Sequence, residues 1–324
     1  MQNSNFAMRR IWVVTVATHN QGYLSSLEWC LKQAHGGEMV RFVQLGRGHK
    51  WNNYGDKLRL LFAFLERLCG GGEGVVEVAE QDLVIFCDAY DVLFDPQRDF
   101  ARLADIFLAS RADLLFSVVD ISRQNSFIQK CAHKILTCLD FTHNALTCNG
   151  GLYMGKSWAL LAFMRQAEKL ARAENLKDDE KCINELLNKS KCGPARVCPT
   201  SGFWMFPATL QSQRQVLVGL DVNSTIFFNS PPQLNFTSLL KTGEARPTVF
   251  DENQAFFYHF IGNQDLTELC AYEGIRLPGS ERNEIYGKMH KLAHYLGFFK
   301  TELLVLAVLA ALLAATAVKE KQKR

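Results

Sequence analysis

Two carboxylates stand three positions apart at the end of an apolar run. Asp88 and Asp91 follow Leu83–Phe86, a stretch typical of a parallel-sheet strand that is buried on both faces. In open α/β sheets, ligands bind beyond the carboxyl ends of such strands, and carboxylate oxygens are the ligands that Mg²⁺ and Mn²⁺ prefer. The pattern therefore indicates a hard-metal site. The alternative is that Asp88 caps a turn or a helix and Asp91 is simply solvated.

Length and composition narrow the class of protein. The chain has 324 residues, of which 48% are hydrophobic, so it can bury a sizeable core. Its net charge of +3 comes from 36 basic and 33 acidic residues, and so balanced a surface does not predict a nucleic-acid partner. The ten cysteines include no close CxxC pair, which argues against a zinc site.

The elements that must position the two carboxylates alternate between strand and helix. This order predicts βαβ units, and therefore an α/β fold with a mixed, mainly parallel sheet flanked by helices. A second half adds two further helices and a β-rich closing segment. The predicted strands are Ile11–Ala17, Met39–Leu45, Leu83–Phe86 and Leu114–Val119, and the predicted helices are Leu24–Ala34, Asp56–Leu68, Phe100–Ala109 and Trp158–Asn175, with one more after Asp178.

The C-terminal region has a different composition. Leu303–Val318 is an unbroken Leu/Ala/Val run apart from Thr316, and the basic tail 319–324 follows it. As a helix this run spans about 24 Å, a little less than a thin bilayer of about 27 Å. We expect a transmembrane or membrane-anchoring helix over 303–318, because no polar face appears around the helical wheel. A helix packed on the domain or lying at a membrane interface is the alternative.

Several separated fragments of the chain form one pattern. In chain order they are Val13–Thr18, Gly48–Asn52, Asp56–Leu61, Asp88–Leu93, Cys148–Gly155, Asp178–Asp179, Leu220–Asp221 with Ile226–Phe227, and Tyr258–His259. Together they resemble the glycosyltransferase domain of the procollagen lysyl hydroxylase and collagen glycosyltransferase-like family. The resemblance spans roughly Ile11 to Tyr272 and implies a GT-A-like domain over residues 9–298, with UDP-sugar donors and Mn²⁺, or Mg²⁺ in its place.

The resemblance implies a three-residue metal site and a set of donor contacts. Asp88 and Asp91 match the family's metal-binding pair, and His259 matches its third ligand; imidazole suits Mn²⁺ better than Mg²⁺. The residues alone favour a core histidine between Tyr258 and Phe260 at position 259. The residues that match cofactor- and donor-binding positions are Trp51, Lys57, Tyr90, Gly150 and Gly151.

Three further residues match positions that face the sugars. Asn149 belongs with Gly150-Gly151 to the family's sugar-binding loop, where small residues let the backbone approach a ligand closely. Asp178 and Asp179 match an acidic pair beside the donor and acceptor. For Asp178 and Asp179 the alternative is a charge at the N-terminus of the following helix; for Trp51 and Lys57 the alternatives are a partly buried aromatic and a helix-surface lysine.

The implied activity is metal-dependent transfer of a hexose, glucose or galactose, from UDP-glucose or UDP-galactose to a hydroxyl group. The acceptor is a protein or glycan, with hydroxylysine-linked glycan as one candidate. The alternative is a membrane-tethered UDP-sugar- or glycan-binding protein that has the same fold but no catalysis. The hydrophobic segment predicts membrane association in the endoplasmic reticulum or Golgi, and the sequence leaves open which side of the membrane the domain occupies.

Overall fold

Eight strands form the main sheet; one of them, β6 (Leu146–Lys156), carries residues of the predicted site, and another, β3 (Leu83–Cys87), leads directly to Asp88. The computed structural model describes residues 10–70, 82–120, 146–210, 215–230, 249–250, 254–261 and 264–277, all within the unit formed by 1–125 and 142–282. The strands are β1 Ile11–Val16, β2 Val40–Leu45, β3 Leu83–Cys87, β5 Leu114–Asp120, β6 Leu146–Lys156, β7 Arg196–Val197, β8 Trp204–Thr209 and β9 Gln215–Asp221. Their order in the sheet is β2-β1-β3-β6-β5-β9-β8-β7.

The sheet is mixed, as predicted, with most strands running in one direction. Strands β2, β1 and β3 are parallel neighbours, and β5 is parallel to β9. Strand β6 runs antiparallel between β3 and β5, and β8 runs antiparallel to β9. The antiparallel β6 therefore lies directly beside the strand that leads to Asp88, with Cys87 paired to Leu152.

A small second sheet completes the environment of the site. It consists of β4 (Val92–Phe94), β10 (Phe227–Ser230) and β11 (Phe257–Phe260), in the order β10-β11-β4. Strand β11 runs parallel to β10 and antiparallel to β4. Because β4 starts immediately after Asp91, this sheet brings a segment from late in the chain against the predicted metal ligands.

Helices cover both faces of the main sheet. Along β3, Leu83, Ile85 and Cys87 pack on one side, with α1 and α3, while Val84 and Phe86 pack on the other, with α2, α4 and α5. This explains the continuous apolar run, because both faces of a central strand are buried. The helices are α1 Leu24–Gln33, α2 Gly55–Cys69, α3 Phe100–Ala109, α4 Ser157–Ala173, α5 Asp179–Ser190 and α6 Thr267–Tyr272, with a 3₁₀ turn at Gly37–Met39.

The predicted elements within the described ranges are confirmed to within one or two residues at each end. One prediction is wrong: Asn149–Gly151 does not lie in a loop but inside β6. Among the described residues, no helix is long and apolar enough to cross a membrane. The predicted segment 303–318 and the tail 319–324 lie outside the described residues, so the structure does not bear on them.

Candidate metal centre at the end of strand β3

The turn after β3 is held by two backbone hydrogen bonds. The amide of Asp88 donates to the Gly151 carbonyl at 2.8 Å, which extends the pairing of β3 with β6 by one residue. The carbonyl of Asp91 accepts from the Phe260 amide at 2.7 Å. Asp88 is thus fixed to the main sheet and Asp91 to the small sheet, so their carboxylates meet where the two sheets join.

His259 reaches this turn because of the register of the small sheet. In the antiparallel β4–β11 pair, His259 lies opposite Val92, the residue after Asp91. Its Nε2 atom is 3.4 Å from Asp91 Oδ1 and 3.9 Å from Asp88 Oδ2. One ligand atom from each of the three residues lies within 4.8 Å of the others. The structure therefore brings together all three residues of the predicted metal site.

The electrostatic environment of His259 favours positive charge at this point. Its side chain is only 6% exposed, and burial by itself disfavours the imidazolium. The charge of Asp91, its hydrogen bond to the ring and the charge of Asp88 outweigh burial and raise the pKa of His259. The carboxylates that stabilise a proton on the ring are the groups that would stabilise a cation between them.

Lys57 is an internal cation beside this cluster. It extends from α2, and its Nζ atom lies 2.6 Å from Asp88 Oδ1 and 3.3 Å from Asp179 Oδ2. Burial opposes its charge, but the carboxylates of Asp179 and Asp88 outweigh burial and raise the pKa of Lys57. With 12% of its side chain exposed, it is not a helix-surface lysine. It links the metal-site carboxylate to the N-terminus of α5.

The two aspartates before α5 differ in environment. Asp178 is exposed and is the N-cap of the helix, since its Oδ1 accepts from the Lys181 amide at 3.1 Å. Asp179 is 5% exposed and faces Lys57. The cap interpretation therefore holds for Asp178, and only Asp179 turns its carboxylate toward the cluster.

Two glycines let β6 approach the cluster closely. A methyl group on Gly151 would lie 2.6 Å from His259 Cε1 and 2.8 Å from Asp88 Oδ2, so only glycine fits this position. A methyl group on Gly150 would lie 3.2 Å from Glu180 Cα. The preceding residue, Asn149, accepts from the Gly151 amide at 2.8 Å through its Oδ1 atom.

An exposed pair of aromatic side chains adjoins Lys57, and Tyr90 lies in the turn between Asp88 and Asp91. Trp51 is 39% exposed and Tyr54 is 47% exposed, and their rings meet edge to face at 5.8 Å between centroids. The Tyr54 ring centroid lies 5.4 Å from Lys57 Nζ. Tyr90 is half-buried and donates its hydroxyl to the His19 carbonyl at 3.3 Å. Exposed rings beside a polar cluster provide surfaces on which a base or a sugar ring can pack.

Three residues of this region were missed by sequence reasoning. Tyr54 and Glu180 are close in sequence to predicted residues, three positions from Trp51 and one from Asp179, so a wider window around each motif would have included them. Asn229 lies on β10, and its contact with His259 spans 30 positions. No local pattern marks Asn229, because only the parallel register of β10 with β11 brings it to the histidine.

The chain matches no known protein-family model, and no curated protein is significantly similar to it.

Proposed function

We propose that this chain is a metal-dependent glycosyltransferase that moves a hexose from a UDP-sugar to a hydroxyl acceptor. The observation that supports this most directly is the convergence of Asp88, Asp91 and His259, with one ligand atom each inside 4.8 Å, at the carboxyl end of β3. This edge of an α/β sheet is where such proteins bind their ligands. A nucleotide-sugar fits because its diphosphate carries concentrated negative charge that requires a cation.

The residues present fit a divalent ion such as Mn²⁺. The donor set has two carboxylates and one imidazole, a mixture that Mn²⁺ accepts more readily than Mg²⁺. The space that a methyl group on Gly151 would fill is bounded by His259 and Asp88, so the backbone leaves the ligand atoms unobstructed. When bound, the ion would supply the positive charge that stabilises the departing UDP.

The protein's own residues have separate roles in this proposal. Lys57 holds Asp88 and Asp179 at fixed distances by its two ion pairs, and so orients one metal-site carboxylate relative to the start of α5. In this proposal Asp179 and the neighbouring Asn149 of β6 would hydrogen-bond sugar hydroxyls. Trp51 and Tyr90 would offer rings for the nucleotide, while Gly150 and Gly151 leave the room beside the strand that Glu180, His259 and Asp88 occupy.

The donor we propose is UDP-glucose or UDP-galactose, and the acceptor is a hydroxyl on a protein or glycan, with hydroxylysine-linked glycan as one candidate. Both follow from the resemblance given above. We also retain membrane association through 303–318 and residence in the endoplasmic reticulum or Golgi as predictions, which fractionation of cells that express the tagged full chain would test.

The test is UDP release by the purified full chain from a panel of UDP-sugars, with Mn²⁺ and then with a chelator. We expect release from one hexose donor, loss of release with chelator, and loss in Asp91→Ala but not in Asp105→Ala, which removes an exposed carboxylate of α3. Equal turnover in folded Asp91→Ala would remove the metal assignment. Binding of UDP with Mn²⁺ but no release from any donor, with or without added acceptors, would overturn the enzyme in favour of the binding protein.

A further inference from the structure

Two asparagine side chains face the same nitrogen of His259. The Nδ1 atom lies 3.0 Å from Asn149 Oδ1 and 3.2 Å from Asn229 Oδ1. An amide oxygen accepts hydrogen bonds and cannot donate them. Both contacts are therefore favourable only when Nδ1 carries the hydrogen and shares it between the two oxygens.

The orientation of each amide is fixed by its other partners. Asn149 donates from Nδ2 to Glu180 Oε2 at 3.4 Å, and its Oδ1 atom also accepts from the Gly151 amide at 2.8 Å. Asn229 donates from Nδ2 to the Val118 carbonyl at 3.0 Å. Rotating the Asn149 amide by 180° would set its oxygen against Glu180 Oε2 and its Nδ2 donor against the Gly151 amide, and rotating the Asn229 amide would set its oxygen against the Val118 carbonyl. The oxygens must therefore be the atoms that face His259.

We propose that Asn229, together with Asn149, is a positioning residue that sets the tautomer and the ring orientation of His259. With the hydrogen on Nδ1, the lone pair of neutral His259 is on Nε2, the atom that lies 3.4 Å from Asp91 and 3.9 Å from Asp88. A metal-binding histidine commonly donates its other ring nitrogen to an oxygen in this way, which raises its basicity as a ligand. This inference rests on the proposed function, because it needs a cation at the three residues.

The position of Asn229 in the fold explains why an amide is required there. In the parallel β10–β11 pair, Asn229 is in register with His259, so the two side chains project from neighbouring strands. The Asn229 amide then reaches the Val118 carbonyl on β5 of the main sheet. One side chain thus needs an acceptor toward His259 and a donor toward Val118, and an amide supplies both.

The experiment is a Mn²⁺ titration of the full chain, in which the electron paramagnetic resonance signal of the free ion reports the fraction bound. We expect Asn229→Ala to bind Mn²⁺ about 10- to 100-fold more weakly than the wild type, the range typical of losing an outer partner of a metal ligand. Asn229→Asp restores an oxygen that accepts from Nδ1, so we expect its affinity to stay within about threefold of the wild type or to be tighter.

Stability controls separate positioning from folding. Asn223→Ala is the matched variant, because it also removes one amide-to-carbonyl bond, from Nδ2 to the Gly202 oxygen at 3.3 Å. We expect it to bind Mn²⁺ like the wild type. In chelator, Asn223→Ala and Asn229→Ala should lower the unfolding temperature by similar small amounts. Asn229→Asp should also lower it, because its carboxylate has no donor for the Val118 carbonyl.

The outcomes distinguish this inference from the proposed function. Wild-type Mn²⁺ affinity in Asn229→Ala, or equally weak binding in Asn229→Ala and Asn229→Asp, would overturn the role of Asn229 while leaving the metal site intact. A wild-type chain that binds no Mn²⁺ would overturn the metal site itself. If the two Asn229 variants change Mn²⁺ affinity as expected but the wild type turns over no UDP-sugar, only the proposed glycosyltransferase activity would be refuted.

Discussion

The glycine opposite Asp88 offers the sharpest perturbation of the site. In Gly151→Ala, the added carbon would lie 2.6 Å from His259 Cε1, 2.8 Å from Asp88 Oδ2 and 2.9 Å from Asn149 Oδ1. Carbon atoms in favourable contact are about 3.5–4.0 Å apart. The imidazole ring must therefore retreat by about 1 Å, and the side chain of Asp88 must move as well.

This displacement sets the expected magnitude. Metal–ligand distances tolerate only about 0.2 Å of deviation, so a ring that retreats by about 1 Å no longer serves as a ligand. We expect Mn²⁺ to bind Gly151→Ala about 100-fold more weakly, equivalent to about 2.8 kcal/mol. Overpacking should also lower the free energy of unfolding of the metal-free protein by about 1–3 kcal/mol.

Gly155→Ala provides the matched control. Gly155 lies four positions further along β6 and so on the same face, and its added carbon would meet Leu114 Cδ2 at 2.6 Å and the Asp113 carbonyl at 2.8 Å. Mn²⁺ titration and denaturant unfolding in chelator would be measured on both variants. We expect comparable losses of stability but a loss of Mn²⁺ affinity only in Gly151→Ala. Equal Mn²⁺ affinities in the two variants would refute the reasoning.

Three further predictions concern charge. Lys57→Met should lower the unfolding free energy of the metal-free protein by about 2–4 kcal/mol, because Asp88 and Asp179 lose their shared cation. Calorimetry should also show that Mn²⁺ raises the unfolding temperature of this variant by more than it raises that of the wild type. An equal rise in the two proteins would contradict this prediction. Burial raises the pKa of Glu180 from 4.5 to about 7, so its contribution to stability is complete below about pH 4.5 and is lost as the pH rises through 7. In chelator, the unfolding free energy of the wild type should fall by up to about 3 kcal/mol more than that of Glu180→Gln between these pH values. If the unfolding free energies of the two proteins vary in parallel with pH, the raised pKa is excluded. The Asp221 carboxylate accepts hydrogen bonds from three backbone amides. Asp221→Ala should therefore lower the unfolding free energy by about 3 kcal/mol or more in a denaturant titration. A loss below about 1 kcal/mol would mean that water replaces the carboxylate as the acceptor.

The parts of the site that sequence could predict are those encoded over a few residues. Asp88 and Asp91 follow an apolar strand, so their place at the sheet edge follows from the strand pattern. For Lys57 and His259, the pattern of residues favoured a surface lysine and a core histidine, and only the resemblance assigned them to a site. The reason is that their partners are distant in sequence, 31 positions away in the pair of Lys57 with Asp88.

The placement of Asn149–Gly151 shows a second limit. The resemblance implied a loop there, and adjacent glycines, which lower strand propensity, are compatible with one. In the fold, the backbone of Gly151 pairs with Asp88, and the absence of a side chain leaves room for His259. Burial of the neighbouring strand residues outweighs the local preference, and the contact that favours glycine exists only in the folded chain.

The joining of the two sheets at Asp91 has a thermodynamic consequence. Two of the three proposed ligands, Asp88 and Asp91, lie in the turn between β3 and β4. The third, His259, belongs to β11, which is held beside this turn by the Phe260–Asp91 hydrogen bond and by its pairing with β4. An ion that needs all three ligands can bind only after β11 has paired with β4. Binding of the ion and pairing of β11 with β4 are then linked equilibria. An ion present at 100 times its dissociation constant would stabilise the paired state of β11 by about 2.7 kcal/mol. The cation concentration of the surrounding compartment would then regulate how often β11 separates from β4 in the small sheet.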